Sequence, residues 1–126
     1  MGIAFLLIGN REESPWAQAL AEALAPLGEL HVISEQEAFK GVERERYDVI
    51  IVDSTVIKEV VPLVAGLRIR QPTAKLVVAT LSPTWQRARD AMQAGASDYI
   101  RKSLNTQETL AAMKKILSRP GPGSTH

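Results

Sequence analysis

Cysteine is absent from this chain of 126 residues, and histidine occurs only at His31 and His126. The absence of cysteine excludes disulfides, thiolate nucleophiles and thiolate metal sites, and it is compatible with a reducing cytoplasm, where we expect the protein. The distance between the two histidines in the sequence argues against a histidine-based metal site. The chemistry of any functional site must therefore come from carboxylates, hydroxyls and amines.

The chain also lacks an excess of charge and a long apolar segment. Fifteen basic residues face 14 acidic ones, for a formal net charge of +1, so we expect no direct binding to nucleic acid. The N-terminal apolar run, residues 3–8, is too short to span a membrane and has no basic flank of a signal peptide. We therefore expect no membrane partner.

Residues 47–53, Tyr-Asp-Val-Ile-Ile-Val-Asp, are the most informative segment that is present. Four β-branched residues without polar alternation are typical of a strand that is buried on both faces of a parallel sheet. The run ends in a carboxylate, Asp53. Ligands and chemistry gather at the carboxyl ends of strands in open α/β sheets, so Asp53 is a candidate functional residue.

The rest of the chain alternates strand and helix patterns five times. Strands are predicted at residues 3–8, 30–33, 47–53, 75–80 and 97–100. Helices are predicted from Ser14-Pro15 to a cap at Gly28, from Ser34 to Arg46, from Pro62 to Arg70, from Ser82-Pro83 to Gly95, and from Asn105 to residue 118. This alternation predicts an α/β domain over residues 1–118. Its expected architecture is a flavodoxin-like (βα)5, doubly wound parallel sheet with strand order 2-1-3-4-5. Residues 119–126, rich in proline and glycine, are predicted to be a disordered tail or linker.

Three polar side chains end three of these strands. Asp53 ends the third, Thr80 ends the fourth, and Lys102 lies just past the fifth. Because neighbouring strands lie about 4.8 Å apart, these side chains are expected to meet at one edge of the sheet. A carboxylate nucleophile beside a hydroxyl and an ammonium suits phosphoryl transfer. A structural ion pair between Asp53 and Lys102 is the simpler alternative.

These segments resemble the receiver domain of bacterial two-component response regulators (CheY-like). The resemblance covers about residues 3–118 and rests on residues 47–53, on Lys-Leu-Val-Val-Ala-Thr at 75–80 and on Ala-Gly-Ala-Ser-Asp-Tyr-Ile-Arg-Lys at 94–102. It implies that Asp53 accepts a phosphoryl group from a histidine kinase or phosphotransfer protein. It also implies that Lys102 contacts this group, that Thr80 turns toward it, and that Tyr99 changes rotamer. Apart from this self-catalysed transfer, no enzymatic activity is expected.

The metal site that the resemblance implies is degenerate here. Receivers usually carry an acidic pair after the first strand, which holds Mg²⁺ together with the phosphoacceptor. The pair is replaced by Gly9-Asn10, with Glu12 slightly later in the loop. The candidate ligands are therefore Asp53, Asn10 and Glu12, and Mg²⁺ dependence of phosphorylation is left open.

The sequence is compatible with two functions, which belong to different classes of protein. In the first, phosphorylation of Asp53 controls a partner or output domain through the face made by the fourth helix, fifth strand and fifth helix. In the second, a pseudo-receiver uses the same face for protein binding without phosphorylation. Monomer and homodimer both stay open. Small enzymes of the haloacid dehalogenase or nucleotide-binding kind lack their expected motifs, since Ser54 and Thr55 follow Asp53 and Gly9 stands alone.

Overall fold

The fold is a five-stranded parallel sheet with helices on both faces, described from a computed structural model that covers residues 2–10 and 14–119. The strands are β1 (Ile3–Ile8), β2 (Gly28–Ile33), β3 (Val49–Asp53), β4 (Lys75–Thr80) and β5 (Asp98–Arg101). The helices are α1 (Pro15–Leu24), α2 (Ala38–Arg44), α3 (Val60–Arg70), α4 (Trp85–Ala94) and α5 (Thr106–Ser118). The strand order is β2-β1-β3-β4-β5, which confirms the predicted flavodoxin-like topology.

Two apolar cores lie on opposite faces of the sheet, because side chains alternate along each strand. One face packs against α2, α3 and α4 and includes Ile50, Val52 and Val78. The other face packs against α1 and α5 and includes Ile51 and Ala79. Every residue of β3 is buried, as the unbroken β-branched run predicts for a central strand.

Several predicted helix ends are confirmed by hydrogen bonds. The Ser14 hydroxyl accepts from the N–H of Ala17, with Pro15 as the first helical residue of α1. The side-chain oxygen of Asn105 accepts from the N–H of Glu108 at the start of α5. These caps depend on local sequence alone, which explains why the pattern was sufficient to locate them.

Gly28 was predicted to cap the first helix, and this is wrong. Helix α1 ends at Leu24, and Gly28 opens β2 beside Ile3. A Cβ at position 28 would lie 1.8 Å from the backbone oxygen of Ile3, so the glycine permits a close approach of two strands. The helix-capping glycine is instead Gly95, which follows α4 with a φ of 125°.

Other boundaries differ by a few residues. Helix α4 starts at Trp85 with Thr84 as its cap, so the predicted start at Ser82-Pro83 is wrong. Ser34 and Glu37 do bond to each other, but they open a short 3₁₀ turn, Glu35–Glu37, ahead of α2, which ends at Arg44. Helix α3 begins at Val60, with Pro62 inside its first turn, where a missing N–H costs nothing. Apart from Arg119, the predicted tail lies outside the described residues.

Candidate functional site

Asp53 ends the central strand β3 and is 5% exposed. It pairs in register with Ala79 of β4, whose side chain faces α1 and α5. The carboxylate therefore lies at the sheet edge on the side of those two helices. Such a carboxylate needs a polar or charged partner to compensate for lost hydration.

Lys102 provides that partner. Its Nζ donates to Asp53 Oδ2 at 3.0 Å and to Oδ1 at 3.1 Å. The backbone holds the lysine in place, because the N–H of Lys102 donates to the carbonyl of Thr80 at 2.7 Å. The structure thus brings together two of the residues predicted for the site, from segments that are far apart in the sequence.

The hydroxyl in this cluster comes from Thr55, which the sequence analysis did not single out. Its Oγ1 donates to Asp53 Oδ1 at 2.6 Å and accepts from Lys102 Nζ at 2.8 Å. The N–H of Thr55 also donates to Asp53 Oδ1, at 3.1 Å. A threonine two residues after a strand-end aspartate is a known turn pattern, so a local signal for this contact exists in the sequence.

The Thr80 hydroxyl points away from Asp53 and Lys102. It is 2% exposed, and its Oγ1 accepts from the N–H of Ser82 at 3.3 Å. Side-chain alternation along β4 places Thr80 on the opposite face from Ala79, which shares its face with Asp53. The connection of Thr80 to the site is through its backbone carbonyl, which holds Lys102. Its predicted turn toward a bound group is untested.

Tyr99 also lies on the opposite face. It pairs in register with Val78 and packs against the core beneath α3 and α4. It lines a separate cavity of about 400 Å³ between those helices, together with Ser54, Ile57 and Ala91. The structure therefore separates the residues predicted for the site into a charged group, Asp53 and Lys102, and a switch group on the other face, Thr80 and Tyr99.

An open pocket of about 320 Å³ gives access to Asp53 and Lys102. Asn10 is the other residue of the predicted metal set that lines it, while Glu12 lies outside the described residues. The walls are otherwise largely apolar and are formed by Pro15, Trp16, Val56, Leu81 and Leu104. Leu81 is mostly exposed and stands at the rim rather than closing the pocket.

Gly9 directly follows β1 and is the immediate neighbour of Asp53. A Cβ at position 9 would lie 3.2 Å from Asp53 Cβ and 3.7 Å from Oδ2. A carboxylate at this position would therefore adjoin the Asp53 oxygens, and glycine removes that charge. With Gly9-Asn10 in place of an acidic pair, position 9 therefore provides no carboxylate beside Asp53.

The donor set formed by the described residues does not fit a tight Mg²⁺ site. Mg²⁺ prefers hard oxygen ligands in octahedral geometry, usually including one or two carboxylates. Residues 2–10 and 14–119 contain no cluster of three or more acidic or histidine side chains that would hold a metal. The one carboxylate present, Asp53, is already paired through both oxygens with Lys102.

Comparison with known proteins finds similar structures among those that have been solved. A response regulator from Thermotoga maritima is 28% identical, with a TM-score of 0.77, over 93% of this chain and 99% of that one. A response regulator protein from Burkholderia pseudomallei, solved with a phosphorylated aspartic acid, calcium ion and citrate, is also 28% identical. Its TM-score is 0.69, over 92% of this chain and 74% of that one. The chemotaxis response regulator CheY4 of Vibrio cholerae is 16% identical with a TM-score of 0.80, over 92% and 99% of the two chains.

Sequence comparison alone finds less. No protein-family model matches the chain, and no functionally curated protein matches it by sequence. Across the described segments, no helix is both long and apolar enough to cross a bilayer. The strand order and the structural matches indicate the same fold. Asp53 and Lys102 are paired at the carboxyl ends of its strands. The chain has the fold of a CheY-like receiver domain, and the three similar structures described above are response regulators.

Proposed function

We propose that this chain is a receiver of two-component signalling in which Asp53 accepts a phosphoryl group from a phosphohistidine. The donor is a histidine kinase or a phosphotransfer protein, and the cytoplasm is the compartment where such partners meet. One observation carries the proposal: Lys102 Nζ bonds both oxygens of a nearly buried strand-end carboxylate beside an open pocket. An ammonium in this position can compensate the charge that a transferred phosphoryl group brings.

The two oxygens of Asp53 have different surroundings, which supports Oδ2 as the nucleophile. Among contacts between described residues, Oδ1 accepts from Lys102 and from both the N–H and the hydroxyl of Thr55. Oδ2 accepts from Lys102 alone within the same set. In the transfer, Oδ2 forms a bond to phosphorus while the phosphorus–nitrogen bond of the donor breaks. The imidazole leaves with the electron pair of that bond.

The charges at the site determine what happens after transfer. Before it, Asp53 and Lys102 neutralise each other. After it, the negative charge lies on the phosphoryl oxygens, farther into the pocket, and the ammonium is attracted to follow it. Thr55 then loses its contact with Lys102 while keeping its bonds to Oδ1. This transfer is the only chemistry that we assign to the chain.

Propagation from the site requires a path across the sheet edge, since Tyr99 lies on the other face. Thr80 lies between the two, because its carbonyl accepts from the N–H of Lys102. Among contacts between described residues, its hydroxyl accepts only from the N–H of Ser82, so this one bond must break for the side chain to turn. The cavity beside Tyr99 offers room for a rotamer change. The proposed readout surface is the α4–β5–α5 face, which would bind an output domain, another partner or a second copy of the chain.

The test is phosphorylation by a small acyl-phosphate or phosphoramidate donor, followed by intact-protein mass spectrometry. We expect the mass of one phosphoryl group on the wild-type chain and none on Asp53→Asn. Lys102→Met should slow the transfer at least tenfold, because one preorganised charge contact is typically worth that much or more in the transition state. Parallel reactions with Mg²⁺ and with a chelator measure the metal dependence of the transfer.

A second candidate function is a phosphorylation-independent pseudo-receiver. It is favoured by Gly9, which leaves Asp53 without an acidic neighbour just past β1, and by the pairing of both Asp53 oxygens with Lys102. In this case the wild-type chain gains no mass with any donor, with or without Mg²⁺. Asp53→Asn would then change the stability of the chain but leave binding at the α4–β5–α5 face intact.

A further inference from the structure

The Lys102 ammonium lines the open pocket and contacts three other described residues. Its contacts are Asp53 Oδ1 and Oδ2, Thr55 Oγ1 at 2.8 Å and the face of the Trp16 ring, whose centre lies 4.7 Å from Nζ. The lysine side chain is only 10% exposed. An ammonium has three N–H donors, and the carboxylate and hydroxyl can accept all of them. The aromatic ring adds a fourth contact of a different kind.

Trp16 is held rigidly in this position. It is the second residue of α1, directly after the Ser14 cap and Pro15, and it is 6% exposed. The indole packs within the core that includes Phe5 and Met113. It also forms a wall of the Asp53 pocket and of a smaller groove beside α5. The ring is therefore a fixed surface against which the flexible lysine side chain packs.

We infer that Trp16 is a positioning residue for Lys102, holding the ammonium at Asp53 by a cation–π interaction. Gly9 provides no second carboxylate beside Asp53 that would attract the ammonium. A ring face attracts a cation without neutralising its charge and without taking up an N–H donor. The ring therefore holds the ammonium without competing for the charge and the donors that a phosphoryl group entering the pocket would use. The consequence for phosphoryl binding rests on the proposed function, whereas the contact itself does not.

The simpler interpretation is that Trp16 is only a core residue that happens to lie beside the lysine. The two interpretations differ in what they predict for Trp16→Phe and Trp16→Leu. A packing role depends on apolar volume, which leucine and phenylalanine both reduce to a similar degree at this buried position. A cation–π role depends on the ring, so phenylalanine should retain part of the effect and leucine none of it.

The first measurement follows Lys102 directly, by NMR of the chain with labelled lysine. In the wild type, the ε-methylene protons of Lys102 should be shifted upfield by the ring current of Trp16. We expect Trp16→Leu to abolish this shift and Trp16→Phe to retain part of it, while Met113→Leu, a change in the same core, leaves it intact. A Lys102 signal that is the same in the wild type and in Trp16→Leu would overturn the inference.

The second measurement is binding of beryllofluoride, an acyl-phosphate mimic, followed by Trp16 fluorescence in a Trp85→Phe background. Only two tryptophans are present, so Trp16 is then the sole reporter. NMR titration compares the Trp16 variants. Trp16→Leu should weaken apparent binding roughly 2- to 30-fold, the range of one cation–π contact, and should have no further effect once Lys102 is methionine.

The two measurements separate the possible failures. Beryllofluoride that fails to bind a wild-type chain with an intact ring-current shift counts against the proposed function and leaves the positioning of Lys102 standing. Beryllofluoride that binds equally to the wild type and to Trp16→Leu contradicts the positioning role and leaves phosphorylation of Asp53 standing. Circular dichroism of each variant confirms that the fold is retained.

Discussion

At the scale of single residues, the site depends on how Asp53 and Lys102 are held. Both are nearly buried, with side-chain exposures of 7% and 10%, so each needs the other to offset lost hydration. Thr55 completes the group by donating to the carboxylate and accepting from the ammonium. The hydroxyl thus fits between the charges without leaving an unpaired donor. In the described chain, no buried side-chain nitrogen or oxygen is without a hydrogen-bond partner.

The Thr55 hydroxyl should therefore stabilise the resting protein. Thr55→Val keeps the shape of the side chain but removes the donor and the acceptor, and we expect the free energy of unfolding to fall by about 1 kcal/mol. Urea denaturation measures the change. Thr55→Ser is the matched control, because it keeps the hydroxyl, and it should retain most of the stability. A loss in the serine variant with none in the valine variant would mean that the methyl group, and not the hydroxyl, stabilises the turn.

At the scale of elements, Arg68 of α3 joins three separate chain segments. Its guanidinium donates to the carbonyls of Gln71, Ala74 and Gly95, and to the Ser97 hydroxyl. Burial lowers the pKa of the Arg68 guanidinium, yet the ordinary value is so high that the group keeps its charge at neutral pH. The side chain therefore fixes the end of α3, the loop to β4 and the turn after α4.

Replacing Arg68 by lysine should be costly although the charge is unchanged. Lysine cannot reproduce a planar fork that reaches several carbonyl oxygens, so these acceptors lose their partners. We expect Arg68→Lys to lower the free energy of unfolding by about 2 kcal/mol, measured by urea denaturation. Arg87→Lys, at an exposed position of α4, should change it by less than about 0.5 kcal/mol. Similar values for the two variants would contradict the role given to Arg68.

At the scale of the whole molecule, the sheet is most strongly protected at its centre. Strand β3 is fully buried, pairs with β1 on one side and β4 on the other, and has an apolar core on each face. Strand β5 pairs only with β4 among the described strands, and its residues are partly or fully exposed. The edge strands are therefore expected to be less stable than the centre of the sheet, and β5 is the edge strand that carries Tyr99 and leads to Lys102.

Amide hydrogen exchange should reproduce this gradient. We expect the amides of β3 to exchange at the rate of global unfolding, and those of β5 to exchange faster through local opening. Exchange followed by NMR in the unphosphorylated chain provides the measurement. Exchange in β5 as slow as in β3 would mean that the two strands open together, and a switch built on local motion of β5 would then be untenable.

How well the sequence predicted a feature of the structure depends on how far apart in the chain the interacting residues lie. The central strand was predictable, because four consecutive β-branched residues suit only an element buried on both faces. The caps at Ser14 and Asn105 were predictable, because cap and helix lie a few residues apart. Gly28 was misassigned, because a glycine after an apolar helix is compatible both with a helix cap and with the start of a strand. Only the close approach of the Ile3 backbone decides between the two.

The sequence by itself determined the layered fold, the strand order and the placement of Asp53 and Lys102 at one sheet edge, since periodicity and topology are set by local pattern and chain handedness. Only the tertiary structure decided which groups complete the site. It turned the Thr80 hydroxyl to Ser82, gave the bridging role to Thr55 and placed the Trp16 ring against Lys102. A local pattern marks the turns that contain Thr80 and Thr55, but strand parity and packing decide where their side chains point and bring Lys102 and the Trp16 ring to them.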